Sequence, residues 1–248
     1  MKLAFLTFGG GNEDFHGAVQ RICRQAETFN LFKKIYGFTD HDLKKDTEWW
    51  NKHGNFVTNN KRGYGYWIWK AYLIKKVMQD MEMGDIVLYT DSGCELNING
   101  RSRMIDYIKL VMKNDTLAMK LCFPEKQYTK MDLMNAIDCP VEHRDDGQVE
   151  AMIIFLKKTE KNLQILDEII QLYEQDNYHL VDDTPSISEN DKIFIEHRHD
   201  QSIFSLIFKK YNCFTIPDET FFHPDWQRGF KYPILAARNR GPISYFGL

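Results

Sequence analysis

Ile86-Val87-Leu88-Tyr89 is an unbroken apolar run, rich in β-branched and aromatic side chains, that stops abruptly at Thr90-Asp91-Ser92-Gly93. It lacks the alternation of a half-exposed strand and fits one buried on both faces, as in a parallel sheet covered by helices. No other segment commits the chain so firmly to an α/β arrangement. In open α/β sheets, ligands sit at the carboxyl ends of the strands. A carboxylate there, beside a small hydroxyl and a glycine, is suited to a metal–phosphate group or a sugar.

The rest of the chain follows the same alternation. Residues 3–8 read as a first buried strand closed by Gly9-Gly10-Gly11. Residues 14–29 read as a helix with Ala18, Ile22, Ala26 and Phe29 on one face, and 33–38 as a second strand ending at Thr39-Asp40. This β-α-β opening implies parallel pairing and a right-handed crossover. Residues 66–81, 101–113, 127–137, 159–173 and 199–211 are predicted helices, 117–123 and 149–156 strands, and 182–190 a loop. The expected organisation is one α/β domain over 1–248, its sheet mixed and mostly parallel and flanked by helices. Residues 217–248 carry Pro217, Pro224, Pro233 and Pro242 and read as an irregular tail packed on it.

Bulk properties narrow the function classes. A formal charge of −3 disfavours nucleic acid as a partner. Aromatic residues make up 14% of the chain, enough to allow stacking on sugars as well as core packing. The 5 cysteines are scattered, with no Cys-x-x-Cys pair, which points to a reducing compartment rather than a disulfide framework. The apolar start is too short for a signal peptide, and no run reaches transmembrane length. The expectation is a cytoplasmic protein.

Besides Thr90-Asp91-Ser92-Gly93, two further stretches carry chemistry. The first is Lys61-Arg62-Gly63-Tyr64-Gly65-Tyr66-Trp67-Ile68-Trp69-Lys70, where aromatics interleave with cations before a helix. Lys70 lies one turn before Ile74 on the helix's inward stripe. An inward ammonium needs an anion, here a phosphate or a carboxylate such as Asp91; the bland reading has it snorkel along the core edge. The second is Glu196-His197-Arg198-His199-Asp200-Gln201. Asp200 shares the buried stripe of Phe204, Ile207 and Tyr211 and sits in the first helical turn, either facing a cleft or serving as an N-cap. His197 and His199 lack a third ligand at fixed spacing and signal a metal only weakly.

Taken together, these residues resemble the small GT-A type glycosyltransferases of bacterial surface-glycan loci and large DNA viruses. The resemblance rests on 62–70, 84–94 and 197–204 in this order and spacing. It implies a single GT-A, Rossmann-like domain that moves a sugar from a nucleotide-sugar donor (UDP or GDP type) to an oligosaccharide or glycolipid hydroxyl. It implies a donor site of Thr7, Trp67, Lys70, Asp91 and Ser92, with a divalent cation, Mn2+ or Mg2+, on Asp91. Asp91 takes the first acidic place of the family's Asp-x-Asp motif, but Gly93 stands at the second, so help from Glu95 or His223, or from the charge of Lys70, is expected. Asp200 and Gln201 become the catalytic pair. In an inverting transfer Asp200 is the general base; in a retaining one both residues orient the donor sugar. The alternatives are a metal-dependent phosphohydrolase built on Asp91, His197, His199 and Asp200, and a non-catalytic glycan-binding module using 64–69.

Overall fold

The computed structural model describes residues 1–247. Its centre is a six-stranded sheet of β1 (Leu3–Gly9), β2 (Lys34–Thr39), β3 (Ile86–Thr90), β5 (Thr116–Pro124), β6 (Gly147–Lys157) and β7 (Thr215–Pro217) in the order β2-β1-β3-β6-β5-β7. β1 pairs parallel with both β2 and β3, and β5 pairs parallel with β7. β6 runs antiparallel to both its neighbours, β3 and β5. The expected mixed, mostly parallel sheet is thus present, and β3 is buried along its whole length.

Strand alternation sends successive side chains to opposite faces, and each face has its own apolar core. Leu6, Val87 and Tyr89 pack with the helices Trp69–Gln79, Glu160–Glu174 and His199–Lys210. Phe5, Ile86 and Leu88 pack with Glu13–Thr28 and Arg101–Asn114. β4 (Glu95–Leu96), just past Asp91, pairs antiparallel with β8 (Ile234–Leu235), so part of the tail is tied to the rim of the sheet. No described helix is long and apolar enough to cross a membrane.

Two departures from the sequence reading concern the region before Lys70. Helices Asp40–Lys45 and Thr47–Asn59 fill a stretch read without structure. The helix expected to begin at residue 66 begins at Trp69, because the chain first makes a left-handed turn. Gly63, Tyr64, Gly65, Tyr66 and Trp67 all have positive φ, between 51° and 85°. For the non-glycine members this costs roughly 1–2 kcal/mol each. Elsewhere, the span 127–137 divides into Glu125–Tyr128 and Met131–Ala136.

Candidate active site

The left-handed turn brings the sequence motifs together. Trp69 Nε1 donates to the Gly63 carbonyl at 3.1 Å, and the Lys70 amide donates to the Trp67 carbonyl at 2.9 Å, closing the turn onto the helix. Tyr66 and Trp67 pack on the His199 ring, with centroids 4.7 and 5.7 Å away. His199, itself at φ 50°, begins the helix that carries Asp200. The helix N-cap is Arg198, so Asp200 is free of capping duty and faces inward.

Lys70 reaches the end of β3 from the other side. Lys70 is 1% exposed, and its ammonium lies 3.2 Å from Asp91 Oδ1 and 2.5 Å from Asp200 Oδ2 and donates to the Ala151 carbonyl at 3.0 Å. The contact with Asp200 Oδ2 is the closer of its two ion pairs. The Tyr89 hydroxyl donates to Asp91 Oδ1 at 2.6 Å, and the Lys70 ammonium stands 5.1 Å from the centre of the Tyr89 ring. Burial opposes the charge on Lys70, but Asp200 and Asp91 outweigh it and raise its pKa. Burial pushes Asp200 up to about 6, even against the pull of Lys70. One cation thus serves two carboxylates. A diphosphate placed against Asp91 would add negative charge to a site already in deficit of positive charge.

The other expected residues divide. Trp67 lies half-buried against His199, at the edge of this cluster. The Ser92 carbonyl is held by Arg21 at 2.6 Å. Thr7 does not line the cleft. β1 runs on to Gly9, so Thr7 sits inside the strand, fully buried, with a hydroxyl that bonds nothing. Gln201 belongs to a separate polar network. Its amide donates to Gln148 at 2.8 Å, and Gln148 in turn meets Glu125, Thr129 and Ser202.

Around Asp91 a divalent ion would find one carboxylate and would need ligands from outside the described residues. Tyr89 and Lys70 occupy Asp91 Oδ1, which leaves Oδ2 for an ion. Glu95 is not available to help. Its carboxylate is itself fully buried and accepts from Gln25 and, on the tail, from Asn239, Ser244 and the Tyr245 amide. His223 is exposed and stacks on Phe221. Among the described residues no group of three or more His, Cys, Asp or Glu is spaced to hold an ion. His197 is likewise spent. His197 accepts from the Lys130 amide and meets the Leu180 carbonyl at 3.0 Å, and burial lowers its pKa. His199 Nδ1 lies 2.7 Å from the Val181 carbonyl. These bonds leave His197 with no nitrogen for a metal, while His199 Nε2 makes no hydrogen bond and lies 3.5 Å from Asp183, away from Asp91, so the phosphohydrolase alternative is not favoured.

One acidic residue near this cluster escaped the sequence reading: Glu150, buried in β6. A single acid inside the apolar span 149–156 carries no periodic signal. Hollows of about 360 and 380 Å³ lie elsewhere on the surface, and neither is lined by Lys70, Asp91 or Asp200.

No protein-family model and no curated protein matches the sequence. Solved structures do match in three dimensions. One is a glycosyltransferase involved in glycosylation of the major capsid of PBCV-1, with TM-score 0.51 and 10% identity over 95% of this chain and 92% of that one. Another is mouse xyloside xylosyltransferase 1 in its apo form, with TM-score 0.50 and 12% identity over 98% of this chain and 100% of that one. At such identities the likeness is one of architecture. The mixed, mostly parallel six-stranded sheet flanked by helices is the GT-A fold of these glycosyltransferases.

Proposed function

We propose that the chain transfers a sugar from a nucleotide-sugar donor, of UDP or GDP type, to a hydroxyl of an oligosaccharide or glycolipid. The observation that carries this reading is the buried Lys70 ammonium clasped between Asp91 at a strand end and Asp200 at a helix start. A buried ion triad is expensive to keep, and its outermost member, Asp91, is the one partly open to solvent. A glycan-binding module would have no use for it.

In this reading Asp91 lies against the donor diphosphate, and Lys70 fixes its orientation while limiting the repulsion. A divalent cation such as Mn2+ or Mg2+, held between Asp91 and donor oxygens, would neutralise the leaving diphosphate. Asp200, behind Lys70, is the carboxylate that the transfer requires in its ionised form. An inverting course uses it to take the acceptor proton, and a retaining course uses its charge to stabilise the oxocarbenium-like transition state. Both roles predict the same pH behaviour. Since Asp200 titrates at about 6, kcat should fall as pH drops below that value. Asp200→Asn should abolish turnover with nucleotide affinity kept; near-normal turnover would remove Asp200 from the chemistry.

A thermal-shift panel of UDP and GDP, with and without Mn2+, tests the donor site. Stabilisation by one nucleotide, increased by Mn2+ and losing that increment in Asp91→Asn, is expected. A response to oligosaccharide alone would instead identify a binding module.

A further inference from the structure

β6 does not run straight past Asp91. Between the pairs Ala118–Ile154 and Lys120–Val149, a step of two residues in β5 is matched by a step of five in β6. Bulges of this kind re-aim side chains and carbonyls, often beside active sites. Here the carbonyls it presents hold the site: Ala151 accepts from Lys70, and Met152 accepts from the Asp91 amide at 2.9 Å. Val149 and Ala151 point into the core beneath the Lys70 helix. Alternation therefore sends Glu150, between them, to the opposite face, toward the Asp91–Cys94 loop and the tail.

Glu150 is only 5% exposed, and its Oε2 bonds nothing. Asp218, Asp91 and Lys70 act on it through space, and the Thr220 hydroxyl meets its carboxyl through a side-chain hydrogen bond. Burial, with Asp218 and Asp91 nearby, pushes Glu150 up to about 8, so it keeps its proton at neutral pH. Buried polar atoms are nearly always paired, and one that is not calls for an explanation. Lys70 offers none, because its charge is committed to Asp91 and Asp200.

We infer that Glu150 lines the sugar subsite of the donor cleft, where it hydrogen-bonds a neutral or amino-substituted sugar, and that the carboxyl-rich subsite rejects sugar acids. This rests on the donor-site reading above. A carboxyl that both donates and accepts matches a sugar hydroxyl, which does the same. A sugar carboxylate would instead add to the charge of Asp91, Asp200 and Asp218, where the buried Lys70 ammonium is already shared between two of the three.

Calorimetric titration of UDP, UDP-glucose and UDP-glucuronate, with GDP, GDP-mannose and GDP-mannuronate in parallel, tests the inference. The neutral donor should bind about a hundredfold tighter than its sugar-acid counterpart. Glu150→Gln, which keeps a neutral head that donates and accepts, should leave neutral-donor affinity within about threefold. Glu150→Leu should weaken the neutral donor by about tenfold and leave the bare nucleotide unchanged. It should also melt close to the wild type, because the bond lost to Thr220 is offset by removal of a buried carboxyl oxygen that has no partner. Equal binding of the sugar acid, or unchanged donor affinity in Glu150→Leu, would overturn the inference. A Gln variant as impaired as the Leu variant would also overturn it. Absence of binding by any nucleotide would instead overturn the donor-site reading itself.

Discussion

A single ammonium decides the electrostatics of the site. Lys70 is nearly inaccessible, and two of the groups that justify its burial are carboxylates from distant parts of the chain. Its inward position could be read from the helical stripe it shares with Ile74. Its second partner could not, since no pattern in the sequence says that the first turn of a later helix will face it. Removing one member of a buried charge cluster leaves the others uncompensated, which typically costs about 3–5 kcal/mol. Lys70→Met should therefore lose stability of that order in urea unfolding, and adding Asp200→Asn should recover part of it by removing the stranded charge. A single variant within about 1 kcal/mol of the wild type would show that Lys70 is not what holds the carboxylates together.

The central strands were legible as short unbroken apolar runs, and the main helices because their apolar residues repeat at the helical period. The helix Thr47–Asn59 was not, because its buried stripe runs through Trp49, His53, Gly54 and Val57, and half of that stripe is not apolar. The left-handed turn at 63–67 was signalled only by Gly63 and Gly65; nothing in Tyr64, Tyr66 or Trp67 announces positive φ. Strain of this kind persists where the surroundings over-determine it, and here the turn positions both the Lys70 helix and, through His199, the start of the Asp200 helix. At Gly65 φ is 85°, and a Cβ there would come within 2.7 Å of Val57 Cγ2. Gly65→Ala should lower stability by about 2 kcal/mol or more, combining backbone strain with overpacking. Unchanged thermal unfolding would mean that the turn relaxes without cost. Glu150 and the bulge that aims it were hidden for a related reason: pairing register is a property of two strands, and neither sequence shows it alone.

At the scale of the molecule, the Asp91 motif is completed by the far end of the chain. Gly93 stands where a second acid would be expected, and the tail lies on it: the Asn239 amide donates to the Gly93 carbonyl at 2.8 Å, and a Cβ at Gly93 would stand 3.5 Å from Arg238 Cα. The next acid, Glu95, is fully buried and serves as the tail's anchor, accepting from the Asn239 side chain and the Tyr245 amide at 2.7 Å each. Arg21 grips the same layers from below, donating to the carbonyls of Ser92 and Cys94 on the loop and of Asn239 and Gly241 on the tail. Glu95 and Arg21 are thus a charged pair of fasteners whose partners lie largely beyond residue 236. A chain ending there would keep β4 and β8 but leave both charges short of partners in a buried setting. It should lose about 3–5 kcal/mol in urea unfolding. Adding Glu95→Gln to the shortened chain should return part of that loss, because a neutral amide short of partners in a buried setting costs less than an orphaned carboxylate. If the shortened chain unfolds at the same urea concentration as the full one, the tail is only a cover and the Asp91 loop holds its shape without it.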